Sequence, residues 1–257
     1  MRAPDASRLG LSVVELLIAG FILVIVLGLA GTFFAQQTQL QRDVQARNEV
    51  QDRVRVALQL VTQDIALVGN SVLVDASGAV EPAAQLPLAG CARTVDGTAI
   101  DSCFGVFEGP SAPNVSVALR YLSSQFDPSE ACRDVRYQLI GNVLQRSDVE
   151  CEEDTAWIDL ATDILAFRAV VVCSDGERLP TFPDVACQAP AGYGRTAIVS
   201  VVGRSPTAVR TDDVPRDVIT VNPGNTQATT FVPIPCTPRR ACFGGTEETL
   251  MPNLKDQ

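Results

Sequence analysis

A lone carboxylate, Glu15, stands at the head of residues 16–35, none of which ionises. A buried acid in a membrane helix costs about 3 kcal/mol, so it demands a counter-charge and usually marks function. Elsewhere the chemistry is sparse. The chain has no histidine, which removes Ser–His and Cys–His pairs for nucleophilic catalysis. No Gly-rich phosphate loop occurs either. Asp148, Glu150, Glu152, Glu153 and Asp154 form an acidic cluster. Calcium wants several such oxygens, but the spaced Asp/Asn-Gly register of a calcium loop is missing, so an acidic surface loop is the expectation. The sequence thus reads as non-enzymatic, with no cofactor and no metal.

The elements that must carry Glu15 come next. At about 1.5 Å per residue, residues 16–35 span roughly 30 Å as a helix, one bilayer core. Gly20, Gly28 and Gly31 lie within it and suit either local melting or close helix packing. Beyond Gln36 the pattern turns amphipathic. Val50, Val54, Ala57, Val61, Ile65 and Val68 recur at spacings of three and four, while Arg47, Asp52, Arg55, Gln59 and Gln63 take other faces. Gly69-Asn70 supplies a stop. One helix from Leu11 to Gly69 would be about 88 Å long. Arg2 and Arg8 precede the span and no basic residue follows until Arg42, which keeps residues 1–10 cytoplasmic and sends the body outward.

Eight cysteines in a body outside the cytoplasm suggest disulfides. Zinc is disfavoured by the missing histidine and the absence of any Cys-x-x-Cys. Connectivity is not legible from sequence. The expectation is pairing of neighbours, each bracketing a Pro/Gly/Asp-rich segment: Cys91–Cys103, Cys132–Cys151, Cys173–Cys187 and Cys236–Cys242. Residues 70–114 read as a turn-rich connection, followed by strands at 115–121, 135–140, 143–146, 164–173 and 195–203. Gly141-Asn142 suits a two-residue hairpin and Ser174-Asp175-Gly176-Glu177 a turn. Trp157 reads as a core anchor. From Ser205 the chain is rich in Pro, Thr and Asp, with a last loop expected at 235–245. Asn114-Val115-Ser116 has the form of a glycosylation acceptor. The net charge of −10 argues against direct nucleic-acid binding, and Arg239-Arg240, the one paired cation run, reads as a solvated tail.

Gly10, the short polar leader before it and Glu15 together resemble the signal of type IV prepilins and pseudopilins. A cleaved secretory signal would have a shorter apolar run, and a plain anchor would need neither Gly10 nor Glu15. The resemblance implies cleavage by prepilin peptidase between Gly10 and Leu11, N-methylation of Leu11, and pairing of Glu15 with a neighbouring subunit's terminal amine. Leu11 replaces the family's usual Phe. A finer resemblance is to PilW/PulJ-type minor pilins. It rests on Leu60-Val-Thr-Gln-Asp64-Ile65-Ala-Leu-Val-Gly69, on the Gly-Asn-x-Leu-x-Arg core of 137–148, on 157–169 and on 197–205, although Ala169 stands where that group has Tyr.

That likeness implies an α+β, type IV pilin-like fold: a long N-terminal helix packed on an antiparallel β-sheet head with disulfide-closed loops. Its parts would be a leader at 1–10, a transmembrane half-helix at 11–35, an amphipathic half at 36–69 and a β-rich head with a C-terminal tail at 70–257. It implies a structural subunit of a pilus tip or priming complex, serving twitching motility, adhesion or DNA uptake. The implied partners are other minor pilins, the major pilin, prepilin peptidase, the inner-membrane assembly platform and, before assembly, membrane lipid. The implied location is the inner membrane, single-pass with the head outside, and then a surface pilus. A type II secretion pseudopilin and a membrane-anchored adhesin with an uncut leader are the alternatives.

Overall fold

The computed structural model describes residues 12–69, 73–74, 80–81, 91, 93–95, 98–100, 102–110, 114–122, 132–151, 153–183, 187, 193–210, 213–222, 225–252 and 254. Two compact units divide the chain, Met1–Gln45 and Ala46–Gln257. The helix α1, Val13–Leu67, contains no proline and contributes to both. It ends where expected. Gly69 takes a left-handed φ of 69°, and its N–H donates to the Arg120 carbonyl at 3.0 Å. A glycine there closes the helix without a Cβ penalty.

In the second unit short antiparallel pairs come first: β1 (Leu73–Val74) with β2 (Val80–Glu81), and β3 (Arg93–Val95) with β4 (Thr98–Ile100). A five-stranded antiparallel sheet follows in chain order, built from β5 (Phe104–Glu108), β6 (Val115–Leu122), β7 (Cys132–Ile140), β8 (Val143–Glu150) and β9 (Trp157–Thr162). The β7–β8 turn is Gly141-Asn142, with Gly141 at φ 58°. A left-handed first residue matches the twist that a two-residue hairpin requires. The remaining strands are β10 (Ile164–Cys173), β11 (Arg178–Leu179), β12 (Gly194–Ala208), β13 (Arg216–Asn222), β14 (Asn225–Ile234) and β15 (Arg240–Leu250). Of these, β11-β10-β12-β15 form a four-stranded sheet, and β13 and β14 form a separate hairpin.

The stripe Val50, Val54, Ala57, Val61, Ile65 and Val68 is buried throughout, in one cluster with residues of both larger sheets. Val117, Leu119, Val135, Tyr137 and Leu144 meet it from the five-stranded sheet; Phe167, Ala169, Val199 and Val201 meet it from the four-stranded one. Helix and β12 approach closely at Gly203, where a Cβ would come 2.8 Å from Val54 Cγ2. On the opposite face of the four-stranded sheet, Ala166 and Val202 pack with Val218 of the β13–β14 hairpin.

Four expectations need correction. The segment 235–245 is not a terminal loop, because β15 starts at Arg240 and pairs with β12 from Thr196↔Leu250 to Ala208↔Arg240. Its Gly244-Gly245 and acidic residues obscured the strand, and those glycines are where Val202 and Leu58 come close. Residues 157–169, which the minor-pilin resemblance implies to be one strand, are parts of two strands in different sheets, turned at Asp163, which has φ 59°. Trp157 is half-buried and outside the core, since it lies on the edge strand β9 with a neighbour strand on one side only. The connection at 70–114 includes β5, a full member of the five-stranded sheet.

Asp213 ties the β13 end to the rest of the head. It accepts from Val214 N–H and Cys242 N–H, each at 3.0 Å, and pairs with Arg216 at 3.3 Å and Arg47 at 3.2 Å. Burial works against its charge, but the two N–H groups and then the two arginines outweigh it, so its pKa lies below the usual carboxylate range. A lowered folded value means that Asp213 adds stability above about pH 4 and loses it as pH falls through the folded value. Asp213→Asn is therefore expected to destabilise at neutral pH, with the mutant and wild-type urea midpoints converging in acid. Gly203→Val is expected to cost about 2 kcal/mol through overpacking against Val54 and Val50. Thermal denaturation should show it as a drop of about 4–8 °C in Tm.

Candidate assembly site

Glu15 occupies the first turn of α1. Ser12 caps the helix: its Oγ accepts from Val14 N–H at 3.3 Å and its carbonyl accepts from Leu16 N–H at 3.2 Å. Glu15 Oε2 reaches back to accept from Ser12 N–H at 3.0 Å. This reciprocal pair is a capping box, and it holds the carboxylate beside the helix start. Beyond it the apolar side chains lie open, from Val13 at 76% exposure to Ile25 at 46%. An apolar surface of that extent requires lipid or other protein around it. Gly10 and Leu11, the expected cleavage and methylation positions, lie outside the described residues.

A second carboxylate on the helix, this one buried, does opposite work. Asp64 is 5% exposed on the stripe of α1 that faces the sheets. Its Oδ2 accepts from the Tyr137 hydroxyl in a short hydrogen bond and from Arg146 Nε and Nη2 at 3.1 and 3.0 Å. Burial first, and then the Asp64 charge, push the Tyr137 hydroxyl far above its ordinary range. Tyr121 next to this group is pushed up to about 12, by burial, Asp64 and Asp148 in that order. Both tyrosines therefore stay protonated at any physiological pH, and Tyr137 is the donor to Asp64. A second lock runs through Asp163, which pairs with Arg53 at 3.4 Å and Arg204 at 3.1 Å.

No family model matches the chain. The pilin-like protein PilA3 of Thermus thermophilus is 35% identical over 257 residues, covering 96% of this chain and 97% of that protein. The chain belongs to the type IV pilin-like proteins. A solved type IV-like pilin from Thermus thermophilus shares the fold with a TM-score of 0.50, over 79% of this chain and 97% of that one, at 13% identity. The long N-terminal helix and antiparallel, disulfide-bearing head of this chain are thus a type IV pilin-like fold. Pilin-like relatives and an exposed apolar helix together fit a membrane-anchored pilus protein that assembles with other pilins.

The other sequence-derived positions distribute as follows. Disulfides join Cys91–Cys103, Cys132–Cys151, Cys173–Cys187 and Cys236–Cys242, closing separations of 12, 19, 14 and 6 residues. In the acidic cluster, Asp148 is engaged by Arg133 and Arg146, at 2.6 and 2.7 Å. Glu150, Glu153 and Asp154 are exposed, and Glu152 lies outside the described residues. Among the described residues no group of three or more His, Cys, Asp or Glu is arranged to hold a metal ion. Asn114 is buried, and its Oδ1 accepts from Phe167 N–H at 3.1 Å, so this amide is committed to the fold.

Two residues escaped the sequence reading. Ser12 was legible through the Ser-x-x-Glu spacing of a capping box. Asp64 was legible as an acid between Val61 and Ile65 on the apolar stripe, a place that forces a buried partner. Asp64→Asn should leave Arg146 with Asp148 as its remaining carboxylate and lose the buried half of its pairing, a destabilisation of about 2–3 kcal/mol, whereas Asp64→Leu with Arg146→Met should recover much of the loss. Urea unfolding of the single and double variants checks both halves of that statement.

Proposed function

We propose that this chain is a minor type IV pilin of the PilW/PulJ kind, a structural subunit of a tip or priming complex. Cleavage between Gly10 and Leu11 by prepilin peptidase frees and methylates the Leu11 amine. The subunit waits in the inner membrane with its head outside. The assembly platform then moves it into a filament beside other minor pilins and the major pilin, where its outputs are twitching motility, adhesion or DNA uptake. The observation that carries this reading is Glu15 at the start of an exposed, charge-free apolar half-helix. In hydrocarbon a carboxylate and an amine are each costly alone, and pairing offsets both.

Mass spectrometry of the N-terminus from membranes and sheared fibres tests the processing step. An N-methyl-Leu11 start is expected, and an intact Met1 overturns it. The capping box supplies a sharper test of Glu15. Gln can replace Glu in that box but carries no charge. Glu15→Ala and Glu15→Gln should both be cleaved normally and both fail to enter fibres. Normal incorporation of the Gln variant would reduce Glu15 to a helix cap.

A further inference from the structure

One edge of the four-stranded sheet is open. In the order β11-β10-β12-β15, β15 has β12 on one side and, among the described residues, no strand on the other. Near its start the edge is closed off. Cys242 N–H donates to Asp213 at 3.0 Å and the Cys242 carbonyl accepts from Arg216 Nε at 3.1 Å, so both groups point away from β12. Just past its end Met251 N–H points the other way and donates to the Arg195 carbonyl at 2.9 Å. The register with β12 is unbroken from Arg204↔Cys242 to Thr196↔Leu250. Backbone direction alternates along an antiparallel strand, so Gly244, Thr246, Glu248 and Leu250 also turn their N–H and C=O groups to the open side. Arg216 lies against Gly244, whereas Thr246, Glu248 and Leu250 are exposed.

A row of unpaired backbone groups is a template for another strand, and proline, lysine or a bulge are the usual ways to block it. Residues 244–250 have none of these, and their only charges are Glu247 and Glu248. Two such edges brought together set like charges side by side, whereas a cationic strand is attracted. The side chains add a second feature. Phe167, Ala169 and Val171 of β10 face the core, so Val172 and its cross-strand neighbours Thr196 and Leu250 lie on the outer face, as does Glu248 two residues before Leu250. These four residues line a cleft of about 440 Å³ together with Asp175 and Arg195. Two carboxylates against one guanidinium leave it acidic. Glu248 forms no ion pair among the described residues, and Leu250 is 61% exposed.

We propose that the 246–250 edge of β15 takes an extended, basic peptide segment of another protein as an added strand. Main-chain hydrogen bonds to Thr246, Glu248 and Leu250 supply the affinity, and alternate side chains supply the selection. The incoming residue opposite Glu248 lies on the outer face, where a lysine or arginine meets a free carboxylate. The residue opposite Leu250 meets an apolar side chain and is itself apolar. Antiparallel addition therefore selects an apolar residue followed, two positions later, by a basic one. The cleft gives both side chains room, and the net charge of −10 draws a cationic segment toward the chain.

Amide hydrogen exchange of the full chain in detergent micelles tests this, with a short threonine-rich peptide that carries a valine and, two residues on, a lysine. With peptide at about ten times its Kd, exchange at the Thr246, Glu248 and Leu250 amides should slow about tenfold. Gly245, Glu247 and Thr249, already bonded to β12, should not change. Absent protection, or protection that does not alternate in this way, overturns the proposal. Glutamate in place of the peptide's lysine should weaken binding about fivefold, and Glu248→Lys should reverse that preference with the Tm unchanged. A preference that survives Glu248→Lys overturns the assigned selectivity. N-methylation of the peptide's valine and lysine nitrogens, which would face β15, should abolish binding, while methylation of the threonine between them should be tolerated. Equal effects of the two methylations exclude strand addition. None of these readouts involves Glu15 or leader cleavage, so they fail separately from the processing test.

Discussion

A carboxylate on the buried face of a helix dictates what must lie opposite it, and Asp64 imposes that constraint on the head. Its neighbours Val61 and Ile65 bury into the core, so its charge must be met by groups on the facing sheet. Tyr137 on β7 and Arg146 on β8 are directly opposed in the register of that hairpin, and they converge on one oxygen. Apolar packing alone would tolerate small shifts of the helix along the sheet. A buried, fully paired ion does not, because any slip leaves both partners desolvated and unmet. The hydrophobic stripe supplies attraction, and Asp64 sets where along the sheet it is satisfied.

The four-stranded sheet is fitted to the same helix by a different means. Gly203 and Gly245 remove side chains where Val54, Val50 and Leu58 come closest, so helix and sheet backbones can approach. Asp163, turned through a left-handed φ, carries the chain from one sheet to the other and collects Arg53 from the helix and Arg204 from β12. Each sheet is thus registered to α1 by a polar contact flanked by apolar ones. This division of labour lets one short segment of helix organise two sheets.

What could be read in advance follows from range. The helix stripe, its glycine stop, the β7–β8 hairpin and β10 were legible because periodicity, a turn residue and β-branched runs are local signals. The strand β15 was not, because Gly245 serves packing against the distant Leu58, Gly244 lies close to Arg216 and Val202, and the acids lie on its exposed stretch. Trp157 misled because size argues for burial, whereas exposure at a sheet edge depends on which strands pair, a non-local fact. At the candidate site, Glu15 stood out through the uncharged run behind it. Ser12 shared its signal but was hidden by it, and Asp64 needed its sheet partners to become visible.

Asp64 and Glu15 pose one physical problem with two different endings. Both are acids on the same helix, Asp64 buried in the head and Glu15 at the head of an exposed apolar stretch. Asp64 gathers a hydroxyl and a guanidinium from its own chain, and that satisfaction specifies the fold. Among the described residues Glu15 gathers the Ser12 N–H, through Oε2. A carboxylate can accept about four hydrogen bonds, so most of its capacity faces outward. The capping box then acts as a holder: it orients the carboxylate without neutralising it, which is what the proposed pairing with a neighbouring subunit's amine requires. An acid whose need is met internally builds a subunit, and one whose need is left open at an exposed apolar helix is suited to joining subunits together.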